Sequence, residues 1–419
     1  MHYNSISDIT ALSGLTNLIT LRIYRNPHGS ISALSPLKKL QKLYLNETSI
    51  SDISPLAGLT ELRELDLSVN AGLKNISPLQ NLTKLDKLKF DQAGVEDISA
   101  LGGLVNLEEL SAFSNSISDI SALSSLTNLT ELTLEANQIS DISALSSLTN
   151  LTTLVLSRNS ISSVSALTGL TRLTKLNVSN NNISDIAALS SLIGLTNLDV
   201  SGNNINNFTV LSSLKKLSTL DLDKNSISDI FALSKLTSLQ NIYLNNNRIK
   251  NISALSTRNR IQYLYLQNNF IWDISPIAGL QSPSRVYVSG NYLNLGEGTE
   301  TKGIINTLNS RSGVTVTTGT QKALSQTPFE SRADANGEGQ LKLSWDRVPD
   351  ATYEVTRTRG GKTVNITLGS NTDTSFTDTG LKPGCTYDYV IKARIWQGNG
   401  KPQAVAQSFV SGTTGRRYA

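Results

Sequence analysis

The chain has 419 residues, which is more than one compact domain usually contains and enough for two or three. Its 37 basic and 33 acidic residues give a net charge of +4, a balance that excludes the clustered Lys and Arg of a nucleic-acid-binding surface. The single cysteine, Cys385, excludes an intrachain disulfide. No apolar run approaches the roughly 20 residues of a membrane span.

The first residues contain neither the charged leader nor the apolar stretch that is typical of a signal peptide. The repeat pattern described below is already running at Asn4. We therefore expect the sequence to be part of a longer chain. We also expect the N-terminal edge of the first repeat to be exposed, or covered by residues outside this sequence.

A 22-residue repeat fills the first 290 or so residues and is closed in most copies by an asparagine. One extra residue interrupts the spacing near Leu73, and Thr48 and Ala93 stand in the two places where the asparagine is missing. Each copy reads L-x-x-L-x-L-x-x-N and continues I-x-D-I-x-x-L-x-x-L. The closing asparagines are Asn4, Asn26, Asn70, Asn115, Asn137, Asn159, Asn181, Asn203, Asn225, Asn247, Asn269 and Asn291.

The alternation within a copy predicts a short strand with one apolar face, as Leu132 and Leu134 show between polar neighbours. One copy cannot bury its leucines alone, so stacked copies bury them against each other. We predict an α/β leucine-rich repeat solenoid of about thirteen strands, with a curved parallel sheet on the concave face and turns or 3-10 helices on the convex face. Asn137 is predicted to satisfy backbone groups at the turn, and Asp141 to cap a short helix.

The repeat pattern ends after Asn291, where the sequence predicts a helix at roughly 299–309 and a strand at 314–317. These elements are expected to cover the last leucine layer. About ninety residues with roughly seven short strands then predict an antiparallel sandwich, in which six alternating segments can be placed; they are 339–345, 352–358, 362–368, 375–379, 386–395 and 404–412. The predicted divisions are the array at 1–295, its cap at 296–322, a linker at 323–330, the sandwich at 331–414 and a tail at 415–419.

The sandwich segment contains the motif L-x-P-G-x-x-Y-x-Y from Leu381 to Tyr389, with Trp345 upstream. This combination resembles the fibronectin type III fold. The resemblance implies that Tyr387 forms the tyrosine corner of that fold and that Trp345 belongs to its core. Both roles are structural.

The variant ISDISALSSLTNLTELTLEANQ, from Ile117 to Gln138, resembles the repeats of the internalin family of bacterial surface proteins. The resemblance covers about residues 4 to 295. It implies a binding protein that recognises a host receptor through its concave face, followed in that family by an immunoglobulin-like module. Here the following module looks like fibronectin type III instead, so surface display as a binding module is the broader expectation. Intracellular enzyme regulators also use 22-residue repeats, which keeps that alternative open.

No constellation for catalysis or metal binding is visible in the sequence, so we predict no enzyme activity and no cofactor. The only histidines are His2 and His28, and neither stands beside a nucleophile in sequence. Asp199 and Asp221 occupy the same strand position in consecutive copies, with Asp223 close by, and should lie about 5 Å apart. They could hold a cation or shift each other's pKa, or they form a solvated acidic patch.

The outward strand positions form the predicted ligand-binding face, because they vary while the inward leucines do not. Tyrosine and arginine there are typical anchors of protein interfaces, although tyrosine also simply suits strands. Aromatic rows also stack on sugar rings, so a glycan ligand stays open. The candidate residues are Tyr243, Tyr263, Tyr265 and Tyr287, then Asp199, Asp221 and Asp223, then Phe113, and finally Arg22, Tyr24 and Tyr44.

The sequence therefore predicts a non-enzymatic, secreted or cell-surface bacterial protein that binds a protein ligand, such as one on a host or neighbouring cell. The sandwich would serve as a spacer. A glycan-binding module and an intracellular regulator are the alternatives. We expect a monomer with no nucleic-acid partner.

Overall fold

The computed structural model describes residues 4–281, 283–396 and 402–415. The chain forms two compact units, which are described separately below. The first comprises Met1–Ser226 with Lys235–Ile242, and the second comprises Ile227–Ser234 with Tyr243–Ala419.

Fourteen three-residue strands form one parallel sheet in which the strands follow chain order. They are β1 (Thr20–Arg22), β2 (Lys42–Tyr44), β3 (Glu64–Asp66), β4 (Lys87–Lys89), β5 (Glu109–Ser111), β6 (Glu131–Thr133), β7 (Thr153–Val155), β8 (Lys175–Asn177), β9 (Asn197–Asp199), β10 (Thr219–Asp221), β11 (Asn241–Tyr243), β12 (Tyr263–Tyr265), β13 (Arg285–Tyr287) and β14 (Thr315–Thr317).

A short 3-10 helix precedes the strand in each copy, as expected for the convex side. These helices are Thr10–Gly14, Ser32–Leu34, Ser54–Leu56, Ser77–Leu79, Ser99–Gly103, Ser121–Ser125, Ser143–Ser147, Ser165–Leu167, Ala187–Ser191, Thr209–Ser213, Phe231–Lys235, Ser253–Leu255 and Ser275–Ile277. The predicted leucine-rich repeat solenoid is confirmed.

The stacked leucines form the core of the array. Leu110, Leu132 and Leu154 are in register on consecutive strands, and none exposes more than 2% of its surface. Burial of each such side chain contributes roughly 1.5–3 kcal/mol. The first copy is less covered, since Leu15 and Ile19 remain 48% and 44% exposed.

The asparagine ladder joins consecutive copies through backbone groups that the strands leave unpaired. The Asn137 amide donates to the carbonyl of Leu134 in its own copy (3.1 Å) and of Ala112 in the copy before (2.9 Å). Its Oδ1 accepts from the N–H of Ile117 at 3.0 Å. Asn159 repeats the same three contacts one copy later. The predicted ladder is confirmed.

Gln321 continues this ladder beyond the last asparagine, in the second unit. Its Oε1 accepts from the N–H groups of Asn291 (3.1 Å) and Leu293 (3.4 Å), and its Nε2 donates to the carbonyls of Thr318 and Val288. A glutamine after the repeats thus makes the contacts that the next asparagine would make.

The carboxylates before the 3-10 helices also have the predicted capping role, with one difference. Asp141 Oδ1 accepts from the N–H of Ser143 at 2.8 Å, although the N-cap residue itself is Ile142. Asn251 makes the same contact with Ser253 in place of an aspartate. The contact favours the ionised form, so the N–H of Ser121 lowers the pKa of Asp119.

The segment after the repeats contains the predicted helix and strand. Helix α1 (Glu300–Asn309) begins after Thr299, whose side chain accepts from the N–H of Lys302 at 3.3 Å. Ile305 and Leu308 are buried, and β14 pairs with β13 in parallel. The helix and β14 therefore cover the end of the leucine stack.

Seven strands form two antiparallel sheets that fit a β-sandwich. The first sheet has the order β15 (Ser331–Ala335), β16 (Leu341–Trp345) and β19 (Ser375–Asp378). The second has the order β18 (Lys362–Ile366), β17 (Ala351–Arg359), β20 (Thr386–Trp396) and β21 (Pro402–Thr413). The sequence segments named above overlap all of these except β15, which has no buried residue.

A buried ionic contact joins the two sheets of the sandwich. Arg357 on β17 donates to both carboxylate oxygens of Asp378 on β19 at 2.8 Å, and the hydroxyl of Tyr389 donates to the same carboxylate at 2.8 Å. Asp378 exposes only 5% of its surface. Each charge and hydroxyl of this contact has a partner, so it links the two sheets without leaving an unpaired buried group.

The sandwich is in contact with the last repeats within the second unit. The indole Nε1 of Trp272 donates to the carbonyl of Arg347 at 2.9 Å, and the amide of Asn294 donates to the carbonyl of Trp396 at 2.7 Å. The N–H of Glu300 donates to Asp350 at 3.1 Å. Phe329, from the segment predicted as a linker, is buried in the core of the sandwich.

Replacing His28 by Ile should stabilise the chain. His28 is buried in a place where other copies have Ile50 or Ile117, and neither ring nitrogen has a hydrogen-bond partner in the described part of the chain. Burial lowers the pKa of His28, which the backbone of Ser30 opposes only in part. Wild type should lose stability as the pH falls below about 6.5, because the unfolded state then binds a proton that the native state resists.

The variant His28→Ile should therefore unfold at a higher temperature at pH 7, with a gain of about 1–3 kcal/mol, and the gain should grow at pH 5. Thermal unfolding followed by circular dichroism at both pH values measures this difference. Unfolding curves of the two proteins that shift in parallel with pH would contradict the assignment.

Replacing Gln321 by Ala should loosen the end of the array. The N–H groups of Asn291 and Leu293 would lose their acceptor while remaining buried, at a cost of about 1–3 kcal/mol for each. Hydrogen exchange of these two amides should accelerate, whereas the neighbouring exposed variant Thr320→Ala should leave them protected. Equal protection in both variants would show that Gln321 does not cap the ladder.

Candidate ligand-binding face

The outward strand positions are aligned from copy to copy as predicted. In the first unit, Arg22 is in register with Tyr44, Tyr44 with Asp66, and Asp199 with Asp221. In the second unit, Tyr265 is in register with Tyr287. The candidate residues thus form groups on neighbouring strands.

The tyrosine face consists of Tyr243, Tyr263, Tyr265, Arg285 and Tyr287 in the second unit. The rings of Tyr243 and Tyr265 are stacked with centroids 4.7 Å apart and planes 16° apart. Those of Tyr265 and Tyr287 are stacked at 4.6 Å and 10°. All are partly exposed, and burial raises the pKa of Tyr265. The row therefore offers hydroxyls and ring edges, while both ring faces of Tyr265 are covered.

Arg285 belongs to this group, although it is not among the ligand-binding residues that the sequence predicts. It is in register with Tyr263, it is exposed, and contact with Tyr287 raises the pKa of its guanidinium. The repeat pattern could have indicated this residue, because Arg285 occupies the first outward position of its strand just as Tyr263 does.

The N-terminal candidates are largely engaged in contacts within the protein. The guanidinium of Arg22 lies 4.8 Å from the ring centroid of Tyr44. The hydroxyl of Tyr44 donates to Glu64 at 2.5 Å, and Lys42 binds the same carboxylate at 2.5 Å. Tyr24 follows the strand and is half-buried. A ligand at this end would have to compete with these ionic contacts.

Phe113 lies directly after β5 and is half-buried. Its N–H donates to Asp91 Oδ1 at 2.8 Å, and the hydroxyl of Ser111 donates to the same oxygen at 2.6 Å. Phe113 thus stands on a well-ordered strand end. Within the first unit, the structure does not bring it together with Arg22, Tyr24 and Tyr44 of the first copies.

The side chains of Asp199 and Asp221 accept hydrogen bonds from residues just after their own strands. Asp199 Oδ1 accepts from the N–H and hydroxyl of Ser201 (3.0 and 2.7 Å), and Asp221 Oδ1 accepts from the N–H of Asp223 at 2.9 Å. Asn177 makes the same contacts with Ser179. Burial, and secondly the charge of Asp199, raise the pKa of Asp221 to about 7. These side chains therefore have a structural role that an amide can also fill.

No group of three or more His, Cys, Asp or Glu side chains is arranged to hold a metal ion in 4–281, 283–396 and 402–415. Within those same ranges, no helix is long and apolar enough to cross a membrane.

Comparison with known proteins agrees with the repeat and the fold. A family model described as "Leucine Rich repeats (2 copies)" matches residues 38–81, 105–147, 149–191, 171–213 and 215–257. The stacked strands, the asparagine ladder and this match define a leucine-rich repeat protein. None of the curated protein sequences matches the chain.

Solved structures narrow the class further. An internalin, inlF, from Listeria monocytogenes is 40% identical to this chain over 62% of this chain and 77% of its own, with a TM-score of 0.62. The chain therefore belongs to the internalin family. A leucine-rich repeat protein of Leptospira interrogans (20% identity; 75% of this chain and 94% of its own; TM-score 0.60) shares the fold.

The functional domain of InlJ from Listeria monocytogenes also shares the fold, at 19% identity with a TM-score of 0.57. The match covers 94% of this chain and 91% of that domain. The InlJ domain includes a cysteine ladder, whereas this chain has one cysteine.

Replacing Asp221 by Asn should stabilise the chain at neutral and alkaline pH. A raised pKa means that the native state keeps a proton that the unfolded state releases, so the stability from this group is lost as the pH rises from about 4 to about 7. Asparagine removes this loss and keeps an acceptor for the N–H of Asp223, as Asn177 does for Ser179. We expect a gain on the order of 1 kcal/mol at pH 8.

Thermal unfolding at pH 5 and pH 8 measures the effect. The control is Asp119→Asn, because the pKa of Asp119 is lowered and the sign of its contribution is opposite. An equal rise in melting temperature for both variants at pH 8 would contradict the role of burial at Asp221.

Proposed function

We propose that this chain is a non-enzymatic binding protein, displayed on or secreted from a bacterial cell, that recognises a protein through the tyrosine face. The observation that carries the proposal is the stacked row of Tyr243, Tyr265 and Tyr287 on adjacent strands. Large aromatic side chains held in fixed positions lose little conformational entropy when they bind, which is why they anchor protein interfaces.

The stacking favours a protein over a glycan. A sugar ring binds an aromatic residue by lying against its face, but both faces of the central Tyr265 are occupied by its neighbours at 4.6 and 4.7 Å. A protein surface can instead accept hydrogen bonds from the hydroxyls and pack against the ring edges. The geometry therefore supports the first of the two ligand classes that the sequence left open.

We further propose that the sandwich is a fibronectin type III-like domain that acts as a spacer. The strand order β15-β16-β19 and β18-β17-β20-β21 supports this assignment. So does Tyr387, whose hydroxyl accepts from the N–H of Lys382 at 2.9 Å in the manner of a tyrosine corner. The contacts of Trp272 and Asn294 with this domain favour a spacer that is fixed to the last repeats over one that swings freely.

Location outside the cell is part of the same proposal and rests on membership of the internalin family. Treatment of intact bacteria with protease should remove the protein, or the protein should be found in the culture medium. Protection from protease in intact cells, with release only on lysis, would favour the intracellular regulator instead.

Changing Tyr243, Tyr265 and Tyr287 together to Ala should abolish binding. Wild-type protein is screened by biolayer interferometry against arrayed cell-surface ectodomains and, in parallel, arrayed glycans. We expect a protein hit whose affinity falls by about thirtyfold or more in the triple variant, as for loss of interface anchors.

The control for this experiment is Phe231→Ala, which removes an exposed aromatic from a 3-10 helix. Circular dichroism establishes that both variants are folded. Unchanged affinity of every identified ligand for the triple variant would show that the tyrosine face is not the binding site.

A further inference from the structure

We infer that the tyrosine face binds an acidic segment of its protein partner, with Arg285 receiving a carboxylate and the tyrosine hydroxyls donating to neighbouring oxygens. This inference rests on the proposed function and adds the chemistry of the partner. It follows from the charges around the face, from the covered ring faces and from the exposure of Arg285.

The tyrosine face contains one cation and no carboxylate. Its outward residues are Tyr243, Tyr263, Tyr265, Arg285 and Tyr287, and β14 continues it with Thr315 and Thr317. The residues that directly flank these strands, at 244–246, 260–262, 266–268, 284 and 288–290, include no acidic residue either. The charge of Arg285 is therefore not neutralised by a neighbour on this surface.

Some cations of the sheet in the first unit differ from Arg285 in having an ionic partner. Lys42 is paired with Glu64 and Lys87 with Glu109, each on the next strand, whereas Lys89 and Lys175 are in none of the ion pairs among the described residues. Pairing of this kind leaves little net charge for a partner to recognise. Such a pair is missing at Arg285, since none of the ion pairs among the described residues includes it.

All the functional groups of the face can donate hydrogen bonds, although a tyrosine hydroxyl can also accept one. A guanidinium has donors only, and its planar fork matches the two oxygens of a carboxylate. Tyr263 is in register with Arg285 on the neighbouring strand, and the side chain of Tyr287 is in contact with the guanidinium. A group with several acceptor oxygens is therefore the complement, and an Asp- or Glu-rich protein segment supplies such groups in series.

The covered ring faces decide between an acidic protein and an acidic sugar. An acidic sugar would supply carboxylates or sulfates, but the stacking of a sugar ring on an aromatic face is blocked at the central Tyr265, whose two faces are covered. A peptide needs only the hydroxyls, the ring edges and Arg285. The observations therefore favour the protein segment, and the sugar becomes an outcome of the test.

The experiment measures binding of a short poly-L-glutamate peptide to the full chain by isothermal titration calorimetry at physiological salt. We expect saturable binding that weakens about tenfold in Arg285→Gln, the effect of one lost carboxylate contact. The control Arg332→Gln removes the same charge from an exposed position of the sandwich and should bind like wild type. The triple change of Tyr243, Tyr265 and Tyr287 to Phe keeps the rings and should weaken binding severalfold.

Equal binding to wild type and Arg285→Gln, or no saturable binding to wild type, would overturn the inference. So would a sulfated or uronic polysaccharide that competes as well as poly-L-glutamate through Arg285, since the acid would then come from a sugar. The proposed function has a separate outcome: a protein ligand lost on changing the tyrosine row to Ala, yet indifferent to Arg285→Gln, sustains the function and rejects only the acidic partner.

Discussion

The rest of the structure depends on how one asparagine carboxamide serves two copies of the repeat at once. In Asn137 the amide group donates to carbonyls of its own copy and the copy before, while its oxygen accepts from the N–H of Ile117. Without this side chain, the turn would bury backbone N–H and C=O groups that have no hydrogen-bond partner. With it, the same groups link two neighbouring copies. The leucine layers drive the stacking, and the ladder fixes the register at which they stack.

Because the leucines and the asparagines hold the copies together, the outward positions of the sheet are free to vary. The inward leucines and the asparagine are needed by both neighbouring copies, so they recur, while the residues between them lie on the outward face and are not part of the leucine core. The two ends use this freedom differently. Around Tyr44 the charges neutralise each other, whereas around Tyr265 the rings stack and leave the positive charge of Arg285 without a carboxylate beside it.

The array was predictable from the sequence because the 22-residue period places the same buried leucines in each copy. The strand positions, the asparagine ladder and the helix before β14 followed from that period and from the point where it ends. Gln321 was not predictable, since it lies 30 residues after Asn291 and acts only once the chain has folded back. Strand β15 was missed because Ser331–Ala335 contains no large apolar residue and none of its residues is buried; its place is set by pairing with β16.

The candidate site was predictable in part, and for the same reason. Register follows from the period, so the alignment of Tyr265 with Tyr287 could be foreseen. The orientation of the rings could not, because it depends on side-chain packing, and that packing is what distinguishes a protein ligand from a sugar. The hydrogen bond from Ser201 to Asp199 could not be predicted either. It is a local contact, and the sequence is the same whether an exposed aspartate forms it or not.

The equivalence of the junctions has a genetic consequence. The contact of Ile117 with Asn137 and that of Ile139 with Asn159 are the same contact one copy apart. Loss or duplication of 22 residues in this region would therefore recreate each junction in the product and leave the fold intact. The identical segments at 117–130 and 139–152 also favour such unequal recombination at the level of the gene. A single recombination event can therefore add or remove all the outward-facing residues of one or more copies. The protein that results from each such event still folds.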